Sequence, residues 1–144
     1  MYDILSEVRA DIDRRLVEGA KVWRSVMHTP VLVTADADAR VMVLRAYDAE
    51  TSTLRFHTDA RAPKATLIGG GAPVCVLFYD HEAKVQLRCR GTGRIEVVGP
   101  LVDEAWANSS NFARRCYLGE GPGARADGPA SGLPSAFDGV EPEV

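Results

Sequence analysis

The chain has 144 residues, 46% of them hydrophobic and 26% charged, with a formal charge of −3 and three cysteines. That length suffices to bury a core in one domain, and the acidic balance argues against a dedicated nucleic-acid binder, which carries a basic excess. The charged opening MYDILSEVRADIDRRL does not read as a signal-peptide core, and no apolar run reaches membrane-spanning length. Cys75, Cys89 and Cys116 lack the spacing of metal ligands and read as reduced thiols in a cytoplasmic protein.

In chain order, residues 3–18 predict an amphipathic helix. Ile4, Leu5, Val8, Ile12 and Leu16 recur at helical spacing, Asp3 is placed to cap it, and Gly19 to loosen its end. Strand-type runs VLVT (31–34) and VMVL (41–44) flank the polar connection ADADAR, and TLRFHT (53–58) follows the turn DAETS. Lys64 to Ile68 predicts a short helix ended by Gly69-Gly70-Gly71. VCVLFY (74–79) is nearly continuous in apolar residues, as expected of a strand buried on both faces. Along VQLRCRGTGRIEVV (85–98), Val85, Leu87 and Cys89 alternate with Gln86, Arg88 and Arg90, giving a core face and a polar face. Gly91 and Gly93 then mark a bulge or bend. A further helix is predicted over 103–117, after Pro100. The stretch GEGPGARADGPASGLP (119–134) is half Gly and Pro and cannot bury enough surface to fold alone. These elements predict one mainly β (α+β) domain over 1–118, a small antiparallel β-barrel with flanking helices, and a loop or arm over 119–144.

Chemistry concentrates in RVMVLRAYDAETSTLRFHTDARAPK (40–64), which holds Arg40, Arg45, Arg55, Arg61 and Lys64. Charges on a hairpin ordinarily form a solvated face that discourages edge-to-edge pairing, and Arg55 reads that way. Arg40 and Arg45 bracket an apolar run, while His57 and Thr58 close a strand just before Arg61 and Lys64. Arginines, a lysine, a hydroxyl and the amides of a helix start have the chemistry of a phosphate dianion site. Arg40 and Arg45 are five positions apart, so perfect alternation would point them to opposite faces. Either the strand is bulged there, or one arginine lies beyond its end.

This run, followed by VCVLFYDHEAKVQLRCRGTGRIE, resembles the pyridoxamine 5′-phosphate oxidase family on the FMN-binding split barrel, in order and spacing over residues 28–118. The resemblance implies a six-stranded antiparallel split barrel and FMN as cofactor. Arg40, Val41, Met42, Val43 and Arg45 match the family's Arg-x-Val-Leu-(Leu)-Lys/Arg strand that binds FMN. Phe56, His57 and Thr58 match its Phe-x-Thr strand end. The Ser-Arg-Lys that follows falls on Ala62, Pro63 and Lys64, with Arg61 placed to supply the charge that Pro63 lacks. Gln86 matches a strand glutamine that approaches the flavin ring. A homodimer with FMN at the subunit interface is implied too, with Gln86, Arg88 and Arg90 facing partner, ligand or solvent.

The family's Gln-Ser pair is represented at best by Ala130-Ser131, and nothing after Pro134 matches the C-terminal tryptophan and arginine motifs of classical members. Flavin binding carries over on this resemblance; substrate identity does not. Trp106, Arg114 and Ser131 are the candidates for contacting a small substrate, phosphorylated or not, although Trp106, Ala113 and Tyr117 equally fit a core stripe. His28 and His81 read as turn or surface residues. Glu82 beside His81 makes no metal site. The implied function is an FMN-dependent oxidoreductase, taking hydride from a small substrate onto the flavin, with dioxygen or another acceptor reoxidising it. The alternative is a flavin-binding protein without turnover, for storage or sensing. Neither nucleic acid nor membrane is an expected partner.

Overall fold

A computed structural model describes residues 4–97 and 99–107. Their elements fall into two compact units, one drawn from Met1–His57 with Ala72–Gly93, the other from Thr58–Gly71 with Arg94–Val144.

In the first unit, α1 (Leu5–Lys21) precedes β1 (Val31–Thr34), β2 (Ala39–Val41), β3 (Leu44–Asp48), β4 (Thr53–Phe56), β5 (Ala72–Asp80) and β6 (Val85–Gly93). All pairings are antiparallel. The strands form a four-stranded sheet, ordered β2-β1-β5-β6, and a separate β3–β4 pair. The described fold is thus mixed α+β and mostly antiparallel sheet, and no closed barrel forms among the described strands.

Register explains how the larger sheet divides its residues. One face carries Leu32, Val76, Phe78 and Leu87, all buried, and Phe78 is only 1% exposed. Val31 pairs with Val41 and Leu77, Val33 with Cys75, and Tyr79 with Gln86, so these side chains share the opposite face. That second face is apolar at its centre yet partly open, with Tyr79 52% and Val41 65% exposed. The expectation that β5 is buried on both faces is therefore corrected.

Four other local expectations change, and one falls outside the described residues. Asp3 lies outside the described residues; Ile4 is the residue before α1 and makes no side-chain cap. The predicted apolar stripe is buried only towards its C-terminal end, at Leu16, while Leu5 is 86% exposed. Gly19 does not end α1 but lies within it. The run 41–44 is not one strand: the chain leaves β2 after Val41 and enters β3 at Leu44. Met42 N–H donates to the Pro30 carbonyl at 2.9 Å and Leu44 N–H to that of His28 at 2.8 Å, so the backbone stays paired across the break. The β5–β6 register runs without a shift from Ala72↔Gly93 to Asp80↔Val85, so Gly91 introduces no bulge.

Helix α1 packs on β3, and polar contacts tie it to the β3–β4 hairpin. The Tyr47 hydroxyl donates to Asp13 at 2.6 Å, Arg9 Nε donates to Asp13 at 3.0 Å, and Arg9 Nη2 reaches Ser52 Oγ in the hairpin turn at 2.5 Å.

The second unit contains α2 (Pro63–Ile68) and α3 (Pro100–Ala107). Pro63 occupies the first turn of α2, where its missing N–H costs nothing. Gly69 closes that helix at φ +51°, a left-handed conformation that suits glycine. Ala65 and Ile68 form the buried side of α2. The last helix begins at Pro100 rather than Asp103; its predicted extension to 117, and the predicted arm over 119–144, lie outside the described residues. No described helix is long and apolar enough to cross a membrane.

Candidate functional site

The first unit separates the two arginines that the sequence grouped. Arg40 pairs with Leu32 across β2 and β1, and its side chain folds back onto that hairpin. Its guanidinium donates to Thr34 Oγ1 at 2.9 Å and to Asp38 Oδ2 at 2.9 Å. Arg45 belongs to the other sheet. Leu44 pairs with Phe56 but Ala46 pairs with Arg55, so Arg45 is the extra residue of a β-bulge. Arg45 thus lies beyond the end of β2 and at a bulge of the next strand, β3.

That bulge sets Arg45 and Ala46 together against Arg55. His57 follows two residues on, and burial, then Arg45, then Arg55 hold its imidazole pKa below the ordinary histidine range. Neither Arg45 nor Arg55 makes a side-chain hydrogen bond or ion pair with another described residue. Like charges side by side on a strand pair repel, so this end of the β3–β4 ladder favours an anion. Arg55, read from sequence as surface charge, is half-buried and belongs to this group.

Val41 is largely exposed, and Met42 and Val43 form the two-residue break between β2 and β3. Gln86 stands exposed on β6 opposite Tyr79. Arg88 and Arg90 lie on the same face, opposite Leu77 and Cys75. Cys75 and Cys89 are free thiols, and burial, helped by Cys75, pushes the Cys89 pKa up and away from reactivity.

In the second unit, Thr58, Arg61 and Lys64 lie within or just before α2, and the sequence reading missed the residue that organises them. Asp59 is a carboxylate only 9% exposed. It accepts the Arg61 backbone N–H at 2.9 Å and Arg61 Nε at 2.9 Å, while Arg61 Nη2 donates to its other oxygen at 2.5 Å. The hydrogen bonds from Arg61, its backbone N–H and the charges of Arg61 and Lys64 hold the Asp59 carboxyl below the usual range. Only the i, i+2 spacing of aspartate and arginine in TDAR could have signalled this pair. Trp106 lies half-buried on α3, whereas Arg114 and Ser131 are outside the described residues.

A cleft of about 180 Å³ is lined by Arg14, Arg15, Glu18, Ser25, Met27 and Asp80, none of them a predicted site residue. Arg15 is spoken for there, joined to Asp11 at 2.8 Å and Asp80 at 3.3 Å. Among the described residues no three His, Cys, Asp or Glu side chains group to hold a metal ion.

The family model for the pyridoxamine 5′-phosphate oxidase FMN-binding domain matches residues 23–97. A crystal structure of a pyridoxamine 5′-phosphate oxidase-related, FMN-binding protein from Nostoc punctiforme PCC 73102 superposes with a TM-score of 0.58 at 23% identity. The match covers 99% of this chain and 77% of that one, and at such identity it speaks for the fold. No curated protein matches the sequence.

Proposed function

The chain belongs to the family of pyridoxamine 5′-phosphate oxidase FMN-binding domains, and from that premise we propose that it binds FMN and serves as an oxidoreductase acting on a small substrate. The observation that carries this reading is the cationic end of the β3–β4 pair, where a bulge gathers Arg45, Arg55 and His57 with no acidic partner among the described residues. Such a donor set fits the phosphate of a flavin nucleotide or an anionic substrate group.

For the first unit the proposed cofactor contacts are Arg40, Val41, Met42, Val43, Arg45, His57 and Gln86. For the second they are Thr58, Arg61 and Lys64. Bound FMN supplies hydride-transfer chemistry. The chain's part is to bind and orient it: the 42–43 break offers backbone outside the β-ladders, and Gln86 offers a side-chain amide on an exposed strand face. Arg40 is already engaged by Thr34 and Asp38, so its proposed role is a guanidinium held in a fixed pose. Trp106, Arg114 and Ser131 remain the proposed substrate contacts.

We also propose a homodimer, with the four-stranded sheet's half-open face meeting that of a second copy. Val31, Val33, Val41, Leu77 and Tyr79 supply its apolar centre, and Gln86, Arg88 and Arg90 its polar border. This composition, an apolar core within a polar rim, suits a subunit contact. Free Cys75 and Cys89 favour a reducing, cytoplasmic setting.

The test is anaerobic. FMN-loaded protein is mixed with pyridoxamine 5′-phosphate or with reduced nicotinamide, and the flavin absorbance followed. Bleaching by a donor supports the oxidoreductase. Tight FMN binding with no bleaching by any donor assigns the chain to flavin binding without turnover.

A further inference from the structure

At the Leu44–Phe56 end of the β3–β4 pair stand two arginines and a histidine. Leu44 pairs with Phe56 and Ala46 with Arg55, which sets the extra residue Arg45 at that step of the ladder. His57 follows Phe56, is half-buried, and makes no hydrogen bond with another described residue. The charged groups that act on its ring are Arg45 from β3 and Arg55 from its own strand. The other ionisable groups of β3 are engaged elsewhere, Tyr47 with Asp13 and Asp48 with the backbone N–H groups of Glu50 and Thr51. On α1, which packs on β3, Arg9 pairs with Asp13.

An imidazole in this setting is neutral at neutral pH, because burial and two guanidiniums all oppose a third positive charge. A phosphate dianion reverses that balance by offsetting the arginines. It also presents oxygens that only accept, and a protonated ring has two N–H donors where a neutral ring has one. We infer that His57 is the proton-linked donor of this anion site: it takes a proton from solvent as the FMN phosphate arrives and returns it as FMN leaves, a role that rests on the FMN reading above. FMN affinity then rises as pH falls from the bound-state pKa of His57 towards the lower free-state one, and levels off below it. The second ionisation of a phosphate monoester, at about 6, works in the opposite direction, so the effect is read between pH 7 and 8, where the dianion predominates.

The experiment is a calorimetric titration of the protein with FMN and with riboflavin at pH 7.5, in two buffers of unlike ionisation enthalpy, which counts the protons taken up. Riboflavin lacks the phosphate, so the difference between the ligands, in protons and in the ratio of affinities, isolates it. Wild-type protein is expected to take up about half a proton per FMN and none per riboflavin, and its FMN affinity to rise about threefold from pH 8 to pH 7. His57→Gln should take up none with FMN and lose that pH dependence. If His57→Gln does not fold, NMR titration of the three histidine rings of the wild type, free and FMN-loaded, reads the same event. One ring should titrate at higher pH after loading, and three unmoved rings overturn the inference. FMN preferred over riboflavin with no proton taken up, or an uptake that persists in His57→Gln, overturns it as well and leaves the FMN reading standing. Wild-type protein with no preference for FMN over riboflavin overturns the FMN reading itself, and the inference with it.

Discussion

A Cβ added at Gly19 would lie 2.6 Å from Met27 Cβ and 3.1 Å from the Met27 carbonyl carbon. The helix therefore needs glycine for close approach, not for its end. Gly19→Ala sets a helix-propensity gain of about 1 kcal/mol against an overpacking cost of roughly 1–3 kcal/mol. Backbone as well as side chain must shift, so the account expects a net loss; a lower urea midpoint at unchanged slope is the expected result. An unaltered or raised midpoint would contradict it. The sequence holds a glycine at this place but not its reason, because the contact is made eight residues further on.

His57 links stability to pH. Its folded pKa is lowered, first by burial and then by Arg45 and Arg55. The unfolded chain therefore takes up the proton more readily, and stability falls as pH drops from the unfolded value, about 6.5, through the lower folded one. His57→Gln should remove that part of the slope. Urea midpoints at pH 7.5 and 5.5 test it: the difference between the two should shrink in the variant, and an equal difference in both proteins would refute the assignment.

Among elements, those formed by one periodicity against one partner were legible. VLVT became β1 as predicted, and the alternation of Val85, Leu87 and Cys89 against Gln86, Arg88 and Arg90 became the two faces of β6. The run 41–44 misled, because apolar content does not record that the chain changes sheet between Val41 and Leu44. The Arg45 bulge was visible only as a conflict in parity, which required an irregularity without locating it.

The clasp between α1 and the β3–β4 hairpin was not legible at all, since Asp13 and Tyr47 are 34 residues apart. Tyr47→Phe and Asp13→Asn should each lower the thermal midpoint, and the double variant should lose less than the sum, as one shared contact requires. Neither should alter the FMN-to-riboflavin affinity ratio. Full additivity would mean that the two groups do not act together.

For the molecule as a whole, the family was legible because an ordered set of short motifs survives where each alone is weak. Substrate and partner were not, since they depend on which surfaces meet. The half-open sheet face offers the test of assembly. Leu77→Glu puts a charge at its apolar centre, opposite Arg88. Gel filtration with light scattering should show a dimer for the wild type and a monomer for the variant. A wild-type monomer would remove the reason for assigning Gln86 to the flavin ring.

The most direct measurement is the identity of what the protein retains. Purified protein is incubated with FMN, freed of unbound flavin, denatured, and the released compound identified by mass. The account predicts a yellow protein that gives up FMN in stoichiometric amount. A colourless protein that releases none would contradict it.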